Sequence, residues 1–475
     1  MKPGTLAHAM GSAMGARLGM AVLNYGLFWM LSHRLGTAAL GGYSLLMNVF
    51  YLSAMLPLLG LSGPLTRRAA TEREHLADEL ANALAFSAPV AILLVALIGG
   101  AGHAVYGEAL ATPFWLLALS MLPTAWTLVA ESTLLGLERM ADISRVQFVE
   151  ALLRAIGAAV AMQRGLGLAG VFSVFLALRV ATAVAYQFHP LLPRFQPSRV
   201  RAALLRRNWQ EVPVFLGIVL LAALTGRLDM ILLSRLDGLH EVGVYAAAAR
   251  LYEAALMLPT IAALAMMPTL ARLFATERER FSGMLVLALR LNLGAGFAFA
   301  FGVAALAAPI VGLLYKPEMA AAAPVLRWLI FGAVLMTLDQ ILSSTMMAAK
   351  AQAHDLRALG IALAALVAGL ALFVPPLHAT GAAMAVTTAL VFRVGYRLRW
   401  VVRLLALDGL GRELARVCAA AAVGAAALVS ALPAGPWATL AASLAAYALA
   451  LAVFGVVKAR MVHEARGRVR SLFGR

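Results

Sequence analysis

The sequence has very little cysteine and little charge for its length. Of its 475 residues one is a cysteine, Cys418, and 13% are Asp, Glu, Lys or Arg. One cysteine excludes an intramolecular disulfide and a cysteine-based metal cluster, and soluble domains carry about 25% charged residues. The chain also has no Walker A motif, no glycine-rich dinucleotide loop, no HExxH and no CxxC. We therefore expect no metal, no cofactor and no enzymatic activity.

Hydrophobic residues are what the chain has in abundance. They make up 63% of it, and the mean hydropathy is +0.87. Long apolar runs recur along the sequence, which predicts that the bilayer is its solvent. The net charge of +17 would suggest nucleic acid for a soluble protein. Here we interpret it as topological, with Lys and Arg concentrated in cytoplasmic loops. The first apolar run has no convincing cleavage site and is expected to be an uncleaved span.

The apolar runs predict fourteen transmembrane helices with both termini in the cytoplasm. The predicted spans are 10–33, 41–65, 82–104, 111–136, 146–163, 166–188, 209–234, 242–271, 282–306, 321–348, 358–375, 377–396, 417–433 and 436–457. With this count, 27 of the 39 Lys and Arg residues fall in cytoplasmic segments, 4 in periplasmic segments and the rest within spans. One missed helix would invert every later loop, so this asymmetry supports the count.

A repeated pattern predicts that the chain is duplicated. Gly36, Gly41, Tyr43 and Pro57 recur without a gap as Gly238, Gly243, Tyr245 and Pro259. "ATERE" at 70–74 recurs at 275–279, and "ST" at 132–133 recurs at 344–345. The matches occur in order and at equivalent places in two six-helix halves, so the repeat is parallel.

The repeat and the longest loop between the first twelve spans predict the domain organisation. That loop, "HPLLPRFQPSRVRAALLRRN", follows the sixth span and is expected to include a short surface helix. We predict an N-lobe at 1–188, a cytoplasmic linker at 189–208, a C-lobe at 209–404, and two further spans with a basic cytoplasmic tail at 405–475.

Charged residues within spans are the candidate functional residues, because each costs about 2.5–3.5 kcal/mol at the centre of the bilayer. Eight arginines and six acids lie within the predicted spans. We expect them to face a polar cavity between the lobes, where guanidinium groups suit a phosphate. The candidates for binding an anion are Arg17, Arg179, Arg227, Arg250 and Arg327. For each of these arginines a structural ion pair is the alternative.

The remaining charged residues have positioning or ion-coupling roles as hypotheses. Asp229, Glu253 and Asp339 could position those arginines or bind a coupling cation. Glu253 could instead pair with Arg250 at i, i+3, and Glu150 could pair with Arg154 at i, i+4. Pro57 and Pro259 lie within matching spans and are predicted to be hinges, with a static kink as the alternative.

The sequence resembles a known family at several of these positions. "LGTAALGGYSLLMNVFYLSAMLPLLGLSGPLTRRAA", which starts at Leu35, is similar to the first helical hairpin of the polysaccharide-biosynthesis or oligosaccharide flippases, the Wzx-type proteins. The segment from Gly226 to Phe274 is similar to their seventh and eighth spans. The resemblance covers most of residues 5–400. It implies the fold of the multidrug/oligosaccharidyl-lipid/polysaccharide (MOP) exporter superfamily: an all-α polytopic protein with two six-helix bundles in a V, plus two extra C-terminal helices.

The resemblance also implies a function. Such proteins are thought to flip undecaprenyl-pyrophosphate-linked oligosaccharides, the repeat units of O-antigen, capsule or exopolysaccharide, across the bacterial inner membrane by alternating access. Na⁺, H⁺ or the membrane potential could drive the cycle. The expected partners are this glycan and membrane lipids, with polysaccharide-assembly proteins as further candidates, no nucleic acid, and a monomeric chain. A cation-coupled multidrug exporter of the same superfamily is the alternative, and a membrane glycan polymerase or ligase is a weaker one.

Overall fold

The described part of the chain is helical. The computed structural model describes residues 3–349, 351–405, 407 and 410–456, with side chains for all of these except 3–14, 16–18, 213–215, 218, 258–271 and 275. These residues form sixteen α-helices, several 3₁₀ turns and no strand. The chain divides into two compact units, Met1–Gly243 and Val244–Arg475. The sequence predicts a boundary between the two six-helix halves in the linker 189–208. That division into halves stays a prediction.

Nine helices belong to the first unit. They are α1 (Pro3–Arg34), α2 (Thr37–Ser53), α3 (Ser62–Thr71), α4 (Leu76–Tyr106), α5 (Glu108–Leu119), α6 (Met121–Gly136), α7 (Met140–Gln163), α8 (Gly167–Gln187) and α9 (Ala202–Leu236).

The tenth helix, α10 (Gly238–Thr276), contains the unit boundary, and six helices follow it in the second unit. They are α11 (Arg278–Ala305), α12 (Ala307–Leu314), α13 (Ala322–Ala348), α14 (Gln352–Leu404), α15 (Leu410–Ala431) and α16 (Pro436–Val453).

Each predicted span coincides with one or two of these helices. The fourth predicted span is α5 followed by α6, and the eleventh and twelfth are both within α14. At 1.5 Å per residue, the 53 residues of α14 would extend about 80 Å, more than twice the hydrocarbon thickness. A kink divides α14 into two helices. It lies at His378, whose φ of 52° and ψ of −137° are not helical, just after Pro375 and Pro376.

Length and apolar content confirm a multi-pass membrane protein. Nine helical segments within the described residues are long and apolar enough to cross a membrane, and α14 is one of them. The helices α1, α2, α9 and α10 are outside this set although they coincide with predicted spans. The total of fourteen spans stays a prediction.

The second predicted span is not continuous. α2 ends at Ser53 and α3 begins at Ser62, and the residues between them form turns. Leu59 and Gly60 have φ values of 44° and 88°, a left-handed conformation that ends a helix. Pro57 lies in this break, where its ring and missing N–H are tolerated. The expected single helix with a kink is wrong here, because the chain leaves the helical conformation altogether.

The linker differs from its prediction in a similar way. Its residues from Ala202 onward are the first turns of α9 rather than a separate surface helix, and a 3₁₀ turn at Pro197–Arg199 precedes them. Buried ion pairs attach this end of α9 to α3 and α4. Arg68 donates to Glu79 at 3.1 Å, to Asn208 at 2.9 Å and to Glu211 at 2.5 Å. The start of α9 is thus fixed by a polar network as well as by apolar packing.

The repeated glycines allow one close helix contact in the first unit. A Cβ on Gly41 would overlap the carbonyl oxygen of Leu239, and a Cβ on Gly243 would overlap that of Thr37. α2 and the first turn of α10 therefore touch backbone to backbone, as glycine permits in membrane helices. The two glycines that the sequence repeats face each other across this contact.

The added C-terminal helices pack on the second unit. α15 and α16 contact each other and α11. The Tyr447 hydroxyl lies 3.4 Å from the Leu293 carbonyl oxygen and 3.2 Å from that of Gly294. Gly424 leaves room for the ring of Phe301. The predicted helical pair is thus an integral part of this unit's core.

Candidate functional site

A cavity with a mixed apolar and polar lining lies within the first unit. It has a volume of about 580 Å³, and residues of α2, α6, α7, α8, α9 and the break after α2 line it. Phe50 and Tyr51 contribute aromatic rings, and Ala54 and Met55 belong to the break. The polar lining consists of Thr124, Thr127, Glu131, Gln147, Arg179 and Arg227. Two arginines and one carboxylate in an apolar helical bundle make this the candidate site.

Arg179 makes hydrogen bonds to three neighbouring side chains. Its Nη1 donates to both carboxylate oxygens of Glu150, at 3.3 and 3.1 Å. Its Nη2 donates to the Thr127 hydroxyl at 2.7 Å and its Nε to the Thr124 hydroxyl at 3.3 Å. The side chain is 13% exposed. One edge of the guanidinium is therefore neutralised by an acid, and the other edge faces two hydroxyls.

Glu150 is held in place for this pairing. Its Oε2 accepts a hydrogen bond from the Thr182 hydroxyl at 3.0 Å, and its side chain is 9% exposed. The expected pairing of Glu150 with Arg154 is wrong. Arg154 donates to the Asn24 side chain at 2.6 Å instead, because Arg179 and Thr182 of α8 already occupy the Glu150 carboxylate.

Arg227 lies on another wall of the cavity. Its guanidinium carbon is 4.9 Å from the centroid of the Tyr51 ring, a distance at which a cation is attracted to the ring face. Asn48 accepts from the Arg227 Nη1 at 3.4 Å and donates to the Arg227 carbonyl oxygen at 2.7 Å. α2 thus positions α9 through both its aromatic and its amide side chain.

Glu131 is the acid of the cavity lining. Its Oε1 accepts from the Tyr186 hydroxyl and from the Gln147 amide, both at 3.1 Å. Tyr186 is fully buried and does not line the cavity, so it holds the carboxylate from the protein interior. These contacts join α6, α7 and α8 around one oxygen atom.

The second unit contains the other described candidates, and most of them are paired. Arg250 donates to Glu253 at 2.8 Å, as the i, i+3 spacing predicts. The Nε of Arg327 donates to the Ala304 carbonyl oxygen at 3.2 Å. Asp339 contacts Arg393 at 2.8 Å and Arg397 at 2.5 Å, and Arg397 also contacts Asp355 at 2.8 Å. Asp339 is 6% exposed and Arg397 3%, so this cluster is sealed inside its unit.

Two of the five predicted arginines, Arg179 and Arg227, line one cavity. Asp229, two residues after Arg227, is half-buried in α9. The side chains of Arg17 and Pro259 lie outside the described residues. The substrate and coupling roles of all these positions stay predictions.

Several residues of the cavity were absent from the predicted site. Thr124, Thr127 and Gln147 carry no charge, and uncharged polar residues are common in membrane helices. Their residue types therefore did not mark them as site residues in the sequence. Glu131 and Glu150 did give one, since each is an acid within a predicted span. Their spatial relation to Arg179 depends on helix packing, which the sequence does not contain.

Comparison with known proteins identifies the fold and a family. Residues 7–274 match the model of a family described as "Polysaccharide biosynthesis protein". A search of curated proteins finds no match.

Several solved structures have the same fold. The structure described as "Lipid II flippase MurJ, inward closed conformation" has a TM-score of 0.70 at 13% identity, covering 93% of this chain and 98% of that one. An inward-facing MATE-family multidrug resistance transporter of the MOP superfamily has a TM-score of 0.66 at 15% identity, covering 83% and 95%. A MOP superfamily transporter from Pyrococcus furiosus, whose binding pocket is described as having reverse polarity, has a TM-score of 0.60 at 16% identity, covering 86% and 95%. These likenesses confirm the predicted all-α exporter fold.

Proposed function

This chain belongs to the polysaccharide biosynthesis protein family, and we propose that it is a flippase for undecaprenyl-pyrophosphate-linked oligosaccharide in the bacterial inner membrane. It would move the lipid-linked glycan by alternating access and without covalent chemistry. The observation that carries the proposal is the cavity of the first unit, in which Arg179 and Arg227 face a space of about 580 Å³ inside an apolar bundle.

The chemistry of this cavity suits an anionic, hydroxyl-rich ligand. Guanidinium groups bind phosphate oxygens through charge-assisted hydrogen bonds. Thr124, Thr127, Gln147 and Glu131 add donors and acceptors of the kind that sugar hydroxyls require. The cavity is thus suited to the pyrophosphate and the first sugars of a lipid-linked glycan.

We include the other predicted residues in this proposal with the roles that their contacts suit. Arg250, held by Glu253, and Arg17 would add further positive charge along the path of the headgroup. Asp229 would position an arginine of the path or bind a coupling cation, the two roles predicted for it. Pro57, in the break after α2, and Pro259 would be the bending points.

A cation-coupled multidrug exporter is the second candidate. Glu131 favours it, because a carboxylate in a cavity can attract a cationic drug or a coupling ion. Two arginines line the cavity with this acid. Glu150 pairs with Nη1 of Arg179, so it is the Nε and Nη2 edge of that guanidinium, together with Arg227, that favours the anionic ligand.

Deletion of the gene tests the proposal directly. We expect a lipid-linked glycan to accumulate in the cytoplasmic leaflet, where a membrane-impermeant glycosidase added to intact spheroplasts does not reach it. A plasmid copy should restore export, and the Arg179→Gln variant should not. Arg164→Gln is the matched control, since Arg164 is an exposed residue in the turn after α7. Normal distribution of every lipid-linked glycan in the deletion strain, with greater sensitivity to cationic drugs, would favour the multidrug exporter instead.

A further inference from the structure

The two units contain the same arginine motif. "LALRV" in α8, which ends with Arg179 and Val180, recurs as "LVFRV" in α14, which ends with Arg393 and Val394. The contacts of the two arginines also correspond. Arg179 donates to residues 124 and 127 of α6, and Arg393 contacts Met336 and Asp339 of α13. Residues 336 and 339 correspond to 124 and 127 in the register given by Ser132–Thr133 and Ser344–Thr345. Each unit therefore builds the same contact within itself, which supports the predicted duplication.

The two copies differ in what faces the arginine. In the first unit, position 127 is a threonine, and the acid that neutralises Arg179 comes from α7 as Glu150. In the second unit, the matching position is Asp339, and a second arginine one turn later, Arg397, joins it. The residue one turn after Arg179 is Ala183. The second unit has thus added one acid and one arginine to the shared contact.

This difference changes which ligands the arginine can bind. The Thr127 hydroxyl donates to the Thr124 carbonyl oxygen at 3.0 Å while it accepts from Arg179. A hydroxyl can turn its proton towards an arriving anion, so both it and the guanidinium can donate to that anion. A carboxylate such as Asp339 can only accept hydrogen bonds when ionised, and it repels an anion. Glu150 has this effect on Nη1 of Arg179, so an anion would approach the Nε and Nη2 edge, which faces the two threonine hydroxyls. The first copy also lines the cavity.

We propose that Thr127 keeps the arginine site of the first unit available to an anionic group, whereas Asp339 and Arg397 close the equivalent site of the second unit. The anionic headgroup of the substrate is then bound by the Arg179 copy alone, and Asp339 is a positioning residue for arginines rather than a coupling site. This inference rests on the proposed function for the identity of the substrate. The difference between the two arginine sites does not rest on it.

The first test measures arginine reactivity in purified, detergent-solubilised protein. Phenylglyoxal labelling is followed residue by residue by peptide mass spectrometry, with and without sodium pyrophosphate as the probe anion. Arg179 and Arg393 have nearly equal side-chain exposure, 13% and 10%, so exposure alone predicts similar labelling. We expect Arg179 to react several times faster than Arg393 and pyrophosphate to protect Arg179 only. Equal rates, or protection of Arg393, would overturn the inference.

The second test introduces residues equivalent to Asp339 and Arg397 into the first unit. The variant Thr127→Asp with Ala183→Arg copies the second unit's cluster into the first unit with no change in net charge. We expect it to fold and to lose reactivity and pyrophosphate protection at Arg179, with glycan export reduced at least about tenfold. The reciprocal variant, Asp339→Thr with Arg397→Ala, should make Arg393 reactive. Thr127→Ser keeps the hydroxyl and should keep the protection.

Outcomes separate this inference from the proposed function. If the transplanted variant is monodisperse and still shows pyrophosphate protection at Arg179, Thr127 does not control the site and the inference fails. If the transplant is unstable, the reciprocal variant decides, because an unreactive Arg393 there also overturns the inference. If the labelling results are as expected but wild-type protein exports no lipid-linked glycan, the flippase function fails while the difference between the two sites remains.

Discussion

Replacing Gly41 with alanine tests the backbone contact between the repeated glycines. The new Cβ would overlap the Leu239 carbonyl oxygen and would lie 2.9 Å from the Gly243 nitrogen, closer than ordinary van der Waals contact. α2 and the start of α10 would have to separate by on the order of 1 Å. Overpacking of this kind costs about 1–3 kcal/mol, and alanine in a helix recovers roughly 0.5–1 kcal/mol. We expect a net loss of about 1–2 kcal/mol in the free energy of unfolding of this unit.

Gly36 provides the matched control for this change. It belongs to the same repeated motif, and a Cβ there meets nothing within 4 Å. Gly36 is the N-cap of α2, so Gly36→Ala should lose only about 0.5 kcal/mol, the preference for glycine over alanine at an N-cap. Thermal unfolding in detergent, followed by size-exclusion chromatography after heating, measures both. Each 1 kcal/mol should lower the midpoint by roughly 2–4 °C for a unit of this size.

The partner glycine extends the test. Gly243→Ala should also destabilise, because its Cβ would overlap the Thr37 carbonyl oxygen. One separation of the helices relieves both overlaps, so the double variant should lose less than the sum of the single losses. Equal midpoints for the Gly41 and Gly36 variants would refute the close backbone contact.

Three further changes probe other parts of the chain. Arg68→Ala leaves Glu79 and Glu211 without this partner and should cost about 3–5 kcal/mol in the same assay. Arg67→Ala, at an exposed position, should change stability by less than about 0.5 kcal/mol. Equal losses of stability in the two variants would contradict the role of the Arg68 network. Glu131→Gln removes the acid of the cavity lining. In a Cys418→Ser background, a cysteine introduced at Met55 should then react severalfold faster with a negatively charged methanethiosulfonate reagent. An unchanged reaction rate would mean that Glu131 does not set the electrostatic potential of the cavity. Arg250→Ala should leave the protein inserted at normal abundance and reduce glycan export, whereas export at the wild-type rate would remove Arg250 from the substrate path.

The helices could be predicted from the sequence, because they depend on patterns along the chain. Apolar runs marked the nine described helical segments that are long and apolar enough to cross a membrane. Gly41 and Gly243 were matched in the repeated pattern before their contact was known. The predicted spans 358–375 and 377–396 both lie within α14 and meet next to its interruption at His378. The break after α2 was missed, because Pro57 alone is compatible with a kink, and the left-handed conformation of Leu59 leaves no trace in its residue type.

The site was predicted less completely, for a different reason. Charge within spans identified Arg179 and Arg227, but a residue's partner depends on which helices become neighbours. Glu150 was expected to bond along its own helix, and it bonds instead to Arg179 on α8. Asp339 was expected either to position arginines or to bind a cation, and its contacts with Arg393 and Arg397 only became visible in three dimensions.

The turn segment between α2 and α3 has a consequence for water. Backbone amides and carbonyls outside a helix are costly in hydrocarbon, and non-helical backbone at membrane depth is found where protein or solvent surrounds it. Ala54 and Met55 of this segment border the cavity, so their peptide groups can be hydrated from it. Solvent in the cavity would therefore allow the second span to be interrupted. Under the proposed function, binding of the lipid-linked glycan would replace those waters with glycan hydroxyls.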